Sequence, residues 1–429
     1  MLVFYTPIMN KGTLSFFLII MLTAVFLTPT TATASFAPPS NWEDETRRFR
    51  LHITVEAPSD FVNKPVSLPI NFGKQLQQAG EWRPFDPDSL HLMEVNSAER
   101  PLASNLPFQF DTVRGKAAGQ FRFLAAGDTL ANTPRHFQLY FDVQTAKVAA
   151  KTAVPAVAVE SGVVDEGHES LRIQTLGGTY FYHLAGGGFS SLLDAEGNDW
   201  IDYHPGGGSA GEFRGIPNAV FPDGHFHPGS IAHTSKILSQ GPIETIIQAT
   251  TTDGNWEVIY TFLPAYVTVE FVKTPGPYWF QYEGTPGGKL DLDSDRVVFS
   301  DGVELTAGEL RNEDIPGDEE WVYFADGVNG RSLFFINHTP DDIPDTYWPL
   351  DGTMTVFGFG REQTSLQPLL DEPRKFTLGL VQATSFADTS RHINSAMGHL
   401  DATLSGFEQR HPVSLPLLFQ PRSGQLFSR

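Results

Sequence analysis

The chain has 429 residues, a formal net charge of −21 and no cysteine. That length allows two or three domains, and the negative field disfavours nucleic acid and anionic lipid as partners. Without cysteine there are no disulfides and no thiol chemistry, so packed cores must supply the stability.

Residues 1–34 read as a leader. Lys11 is the only charge ahead of Glu43, and it precedes the apolar run Leu14–Leu27. Ala32-Thr33-Ala34 is a small-x-small cleavage site. The run is too short to span a bilayer comfortably, so a cleaved signal peptide is expected. This implies an exported, extracytoplasmic protein with no stable membrane insertion after cleavage.

From 35 to 150 the sequence predicts a β-sandwich of immunoglobulin-like size. Phe49, Leu51, Ile53 and Val55 alternate with polar residues, as do Phe137, Leu139, Phe141 and Val143. A period of two places one apolar face on a core. The small-residue stretch 146–158, AKVAAKTAVPAVA, marks a boundary. From 151 to 386 comes a larger antiparallel two-sheet sandwich. Trp256, Val258, Tyr260 and Phe262 alternate, and Val267, Val269 and Phe271 follow. Asp253-Gly254 and Asn329-Gly330 supply hairpin turns that tolerate positive φ. From 387 to 429 a short C-terminal helix and a tail are expected. Ile393, Met397, Leu400, Leu404 and Phe407 recur at helical spacing, Asp388 or Ser390 is placed to cap it, and Gly406 weakens its last turn. The fold class is therefore mainly β.

Residues 201–233 have neither a helical nor a strand period. They hold four of the 13 histidines (His204, His225, His227 and His233) together with Glu212 and Arg214, among glycines and prolines. Loops of this kind on a rigid scaffold carry function more often than core. Arg214 suits a carboxylate, which a guanidinium matches in bidentate fashion. His225 or His227 suits proton abstraction, and His204 a substrate contact. H-x-H also occurs in transition-metal sites, so zinc is one reading of the same residues. Turn-capping histidines are the structural alternative.

The run 278–288, YWFQYEGTPGG, is an aromatic strand entering a glycine turn. Alternation puts Tyr278, Phe280 and Tyr282 on one face and Trp279, Gln281 and Glu283 on the other. Tyr282 and Glu283 are further catalytic candidates, and Trp256 and Trp279 are candidates to stack on sugar rings. Asp291, Asp293 and Asp295 form D-x-D-x-D, the spacing of oxygen ligands for calcium, but Arg296 and Gly302 occupy the positions where an EF-hand needs glycine and glutamate. A solvated acidic turn is the alternative, and no cofactor is required by the pattern. G-x-S-x-G is absent.

Three stretches carry a resemblance: LRIQTLGGTYFYHLAGGGFSSLLDAEGNDWIDY, SQGPIETIIQATTTDGNWEVIYTFLPAYVTVEFVKT and YWFQYEGTPGG. Through them, residues from Leu171 to about Gly302 resemble the β-supersandwich of galactose-mutarotase-like proteins and of several polysaccharide lyase families. SLPINFG (67–73) and PFQFD (107–111) resemble the accessory sandwich that precedes such domains. The resemblance implies a carbohydrate-active protein with a polysaccharide or oligosaccharide as partner. The leading expectation is β-elimination on an acidic polysaccharide. In it Arg214 holds the carboxylate, His225 or His227 takes the proton, and Tyr282 delivers one to the leaving oxygen. A non-catalytic glycan-binding or envelope protein and a metal-dependent glycan hydrolase are the alternatives.

Overall fold

A computed structural model describes residues 41–113, 116–208, 211–219, 226–363 and 367–410. Residues 1–40, where a leader is expected, and 411–429 lie outside them. Twenty-six strands and two α-helices are described, and every strand pair in the sheets is antiparallel.

The first sandwich is built from β1 (Phe49–Glu56), β2 (Phe61–Asn71), β3 (Phe85–Val95), β4 (Pro101–Ala103), β5 (Phe108–Thr112), β6 (Ala118–Thr129) and β7 (Arg135–Val143). Helix α1 (Phe72–Gln78) follows β2. Asn71 caps it by accepting from the Lys74 amide at 2.9 Å. The alternating residues of β1 and β7 are those that disappear into the core: Phe49, Leu51, Ile53, Val55, Phe137, Leu139 and Phe141 are all at most 1 % exposed.

The second sandwich packs two nine-stranded sheets. Its strands are β8 (Ala158–Asp165), β9 (His168–Gln174), β10 (Thr179–His183), β11 (Gly188–Leu193), β12 (Gly215–Asn218), β13 (His233–Gln240), β14 (Thr245–Thr251), β15 (Glu257–Phe262), β16 (Val267–Lys273) and β17 (Phe280–Gly284). They continue with β18 (Arg296–Phe299), β19 (Glu304–Thr306), β20 (Arg311–Glu313), β21 (Glu320–Asp326), β22 (Arg331–Asn337), β23 (Asp345–Leu350), β24 (Met354–Phe359) and β25 (Lys375–Val381). One sheet runs β20-β23-β24-β17-β12-β11-β10-β9-β8, the other β13-β14-β15-β16-β25-β22-β21-β18-β19. Between them lies one aromatic core that includes Tyr180, Phe189, Phe262, Phe280, Phe335 and Phe376. The Asp253-Gly254 and Asn329-Gly330 turns join β14 to β15 and β21 to β22, with both glycines at positive φ.

The C-terminal expectation needs correction. Helix α2 covers only Phe386–Met397 and packs Ile393 on the outer side of the second sheet, beside Tyr323, Phe334 and Ile336. Its cap is Ser385, which accepts from the Asp388 amide at 3.2 Å; neither Asp388 nor Ser390 has that role. Residues Asp401–Gln409 form strand β26, which returns to the first sandwich and pairs with β1. Leu404 and Phe407 are therefore strand residues. A bulge at the Ser405 position shifts the parity of β26, so that Ala402 and Phe407, five apart, both lean on the first core. Replacing Ser385 by alanine is expected to cost about 1 kcal/mol in denaturant unfolding. An unchanged midpoint would show that α2 is held by Ile393 packing alone.

Candidate functional site

The second sandwich turns one side of β17 away from its core. Phe280 and Tyr282 point into the inter-sheet aromatic cluster, so alternation sends Gln281 and Glu283 to the outer face. Tyr278 also lies in that core cluster, and Trp279 between them belongs with the outer set. Register then assembles a site around them. Glu283 stands opposite Gly215 of β12 and Val356 of β24, and Gln281 opposite Asn218 and Gly358. The Asn218 Nδ2 donates to Glu283 Oε2 at 2.9 Å. Arg361, just beyond β24, donates from Nη1 to Gln281 Oε1. Its guanidinium lies between two indoles, 4.8 Å from the Trp279 ring centre and 4.3 Å from that of Trp348. A Cβ on Gly358 would sit 3.2 Å from the Arg361 side chain, so the glycine is what lets the arginine lie this close to the sheet.

This cluster is largely closed to bulk water. Glu283 is 6 % exposed and Arg361 4 %. Burial pushes the Glu283 carboxyl up to about 7, against the opposing pull of the Asn218 hydrogen bond and the Arg361 charge. Burial likewise lowers the Arg361 guanidinium to about 10, with Glu283 opposing. Four buried polar atoms here have no hydrogen-bond partner among the described residues: Asn218 Oδ1, Trp279 Nε1, Gln281 Nε2 and Arg361 Nε. Buried polar groups are normally paired, so hydrogen-bonding capacity left open beside a titrating carboxyl makes this cluster the candidate site.

The histidine segment reaches the same face only in part. A Cβ on Gly215, the cross-strand partner of Glu283, would meet Pro228 at 2.6 Å and the His227 ring at 3.7 Å. His227 and Pro228 thus pass over β12, one strand from Glu283. The His227 ring is already engaged: its Nδ1 accepts from the Gly229 amide at 3.2 Å, and burial lowers its pKa. Nδ1 is therefore not open to take a proton. His225 lies outside the described residues. His204 is exposed, with Nδ1 3.0 Å from the Asp202 carbonyl, and its ring fills the space over Gly207 and Gly211. Glu212 closes the same turn by accepting from the Gly206 amide at 2.6 Å. His233 packs on Phe226 at 4.3 Å, with Nδ1 3.2 Å from the Ala185 carbonyl. A separate imidazole pair, His168 and His183, stacks at 4.2 Å at the end of β9 and β10.

Four further expectations are corrected. Arg214 is 6 % exposed, and its Nη1 donates to Asp202 Oδ2 at 2.5 Å, so a carboxylate of the chain already holds it. Tyr282 faces the core: its hydroxyl donates to the Trp200 carbonyl at 2.5 Å, its ring stacks on Phe335 at 5.1 Å, and burial raises its pKa well above the usual phenol. Trp256 is also interior, edge-on to Phe226 and Tyr278. Trp279 is on the outer face, but the Arg361 guanidinium lies over it. Removing the Tyr282 hydroxyl with Tyr282→Phe should therefore lower stability by about 0.5–1.5 kcal/mol, because the Trp200 carbonyl loses one of its two donors and keeps the Thr285 amide at 3.0 Å. Ligand binding should be untouched. A selective loss of binding or turnover at unchanged stability would return Tyr282 to the site.

The D-x-D-x-D carboxylates cap a turn. Asp291 Oδ1 accepts from the amides of Asp293 and Ser294 at 3.0 and 2.9 Å. The two Asp295 oxygens accept from the amides of Asp291 and Gly327 at 2.8 and 3.2 Å. Asp291, Asp293 and Asp295 do not converge on a common point, and no group of three or more His, Asp or Glu with metal-holding geometry occurs among the described residues. Neither calcium nor zinc is placed by them.

Sequence reading missed Arg361, Trp348, Asn218 and the pairing role of Gln281. The signal that was there is the run FGFGR at 357–361. Glycines alternating with core phenylalanines in a strand mark a close approach on the other face.

Comparison with known proteins adds little. No family model matches the sequence, and no curated protein matches it. A solved structure described as "Crystal Structure Analysis of HI1317" aligns over 54 % of this chain and 98 % of that one, at 12 % identity and a TM-score of 0.37. A likeness at that level carries neither fold nor function.

Proposed function

We propose that this is an exported carbohydrate-active protein that acts on an acidic glycan by β-elimination at the Glu283–Arg361 site. The supporting observation is a carboxyl brought to about 7 by burial beside a buried guanidinium that no carboxylate among the described residues clamps. A general base works best when its pKa lies near the operating pH. A guanidinium recognises a carboxylate bidentately, and a uronate supplies one.

In this reading Arg361 holds the sugar carboxylate and offsets the charge that builds when the adjacent carbon loses its proton. Glu283, ionised, takes that proton. The C–H electron pair becomes the new C=C bond, the C–O bond to the leaving sugar breaks, and Glu283 returns the proton to the departing oxygen. Asn218 fixes the carboxyl through its hydrogen bond, and Trp348, half-buried at the rim, lies nearest to incoming sugar.

The test is digestion of a panel of uronate-containing polysaccharides, with polygalacturonate and alginate among them, followed by absorbance of the new double bond. A rise on at least one substrate supports elimination. Silence across the panel with binding retained would make this a glycan-binding module, a reading that the near-complete burial of Glu283 and Arg361 also favours. Silence without binding sinks both.

A further inference from the structure

The first sandwich carries a second polar site, on the outer face of its five-stranded sheet. Such a face is ordinarily solvated. Here Arg50, Gln138 and Tyr140 are fully buried. Register places Arg50 between Glu408 of β26 and Tyr140 of β7, and His52 between Gly406 and Gln138. Arg50 lies 4.9 Å from the Trp42 ring centre. It donates to Glu408 Oε2 at 2.9 Å, to Gln138 Oε1 at 3.2 Å and to Glu99 Oε2 at 3.4 Å. Its charge is thereby balanced by two carboxylates. The amide nitrogen of Gln138 has no hydrogen-bond partner although the residue is 0 % exposed.

Beside this cluster is a cavity of about 190 Å³ into which His52, His136, Asn96, Ser97, Glu99 and Ser405 turn, with the backbone of β1, β3 and β7 as floor. Its volume is that of about six water molecules, the space of one sugar ring. The wall holds two imidazoles, an amide, two hydroxyls and a carboxylate; Asn96 Oδ1 already accepts from the Ala98 and Arg100 amides and Ser405 Oγ from the Thr54 hydroxyl, each keeping further hydrogen-bonding capacity. His52 Nε2 sits 3.3 Å from Glu408 Oε2, which orients that ring. Gly406 keeps the space open, since a Cβ there would come within 3.2 Å of the His52 ring. Strand β26 contributes Ser405 to the wall and Glu408 to the cluster beside it, so the C-terminal strand completes the cavity by returning to β1.

We propose that this cavity binds one neutral pyranose unit of a glycan. Adjacent hydroxyls on a sugar each donate and accept, and they match a wall of mixed polar groups in which fixed charges are already paired. A small anion would need an unbalanced cation, and Arg50 is not one. The proposal goes beyond the elimination site and does not depend on it.

The experiment is saturation-transfer NMR on the full chain with methyl α-D-galactopyranoside and methyl α-D-glucopyranoside as probes. A transfer signal from at least one probe is expected on the wild type and on Glu283→Gln alike. Ser97→Trp, an exposed position at the rim, should fill the cavity and abolish it. His136→Ala should weaken binding about 10-fold, the loss of one good hydrogen bond. Thermal transitions near wild type establish that both variants fold. Absence of transfer from either probe on the wild type overturns the proposal, as does transfer undiminished by Ser97→Trp. Transfer lost in Glu283→Gln but kept in Ser97→Trp would assign the sugar to the second sandwich instead.

Discussion

Replacing Glu283 by glutamine is expected to lower turnover of an acidic glycan about 10²- to 10⁴-fold, the usual contribution of a positioned acid–base group. Glutamine keeps the shape and can still accept from Asn218 Nδ2, which now reaches Glu283 Oε2 at 2.9 Å. What it loses is the proton exchange. The wild-type rate should rise with pH through about 7 as the carboxyl ionises, and the variant should lack that limb. Stability gives a second readout. The folded carboxyl titrates near 7 against an ordinary 4.5. A raised carboxyl contributes stability in full below its unfolded pKa and loses it as pH rises through the folded value. The wild type should therefore weaken between pH 5 and pH 8, with a ceiling of about 3 kcal/mol from this group. Glu283→Gln should remove that share of the slope. Turnover equal to wild type in the variant would end the catalytic assignment.

The second large effect concerns a buried carboxyl pair that adjoins the segment carrying Arg361. Glu320 begins β21 and Asp345 begins β23, and they are 1 % and 2 % exposed. Asn337 Nδ2 donates to Glu320 Oε1 at 2.9 Å and the Asp341 amide to Oε2 at 3.1 Å. The Gly360 amide donates to Asp345 Oδ1 at 2.9 Å, while Oδ2 has no partner. Burial raises Glu320 to about 8, and Asp341 adds to the rise. Burial raises Asp345 well above the carboxylate range, and Glu320 adds to it. The pair therefore keeps at least one proton at neutral pH.

Because both values are raised, the folded state is favoured in acid and loses stability as pH climbs through about 8. Asp345→Asn puts an amide nitrogen where Oδ2 now has nothing and keeps the Gly360 bond. It is expected to be the more stable protein at pH 8.5, by on the order of 1–3 kcal/mol, and to be near wild type at pH 5. Denaturant midpoints at the two pH values check this. Parallel pH profiles for the two proteins would show that the pair does not hold its proton.

The strands were largely legible in the chain and the site was not. Phe49, Leu51, Ile53 and Val55 announce a half-buried strand by themselves, because a two-residue period is a property of consecutive residues. The same holds for Val267, Val269 and Phe271, and for the Asp-Gly and Asn-Gly turns. Glu283 was legible as an outward residue of an aromatic strand, opposite in facing to Tyr282. Its partners were not. Asn218 lies 65 positions away and Arg361 reaches Gln281 across 80. Arg214 and the histidines stood out by composition, yet His204 and His227 close turns within their own loop, His233 reaches the Ala185 carbonyl, and Arg214 pairs with Asp202. Local hydrogen bonds of that kind leave no trace in residue type. The C-terminal misreading has a similar origin. A bulge in β26 changes which residues face the core, and only pairing with β1 creates the bulge.

The amino-acid sequence alone determined that this chain is a β protein with a first sandwich, a larger second one and a helix near its end. Alternation, turn dipeptides and the absence of cysteine are local facts and suffice for that. Only the tertiary structure decided that Glu283, Arg361, Asn218 and two indoles share one dry position, and that β26 completes a cavity in the first sandwich. Both follow from strand register, which depends on how two distant faces pack and is written in no single segment of the chain.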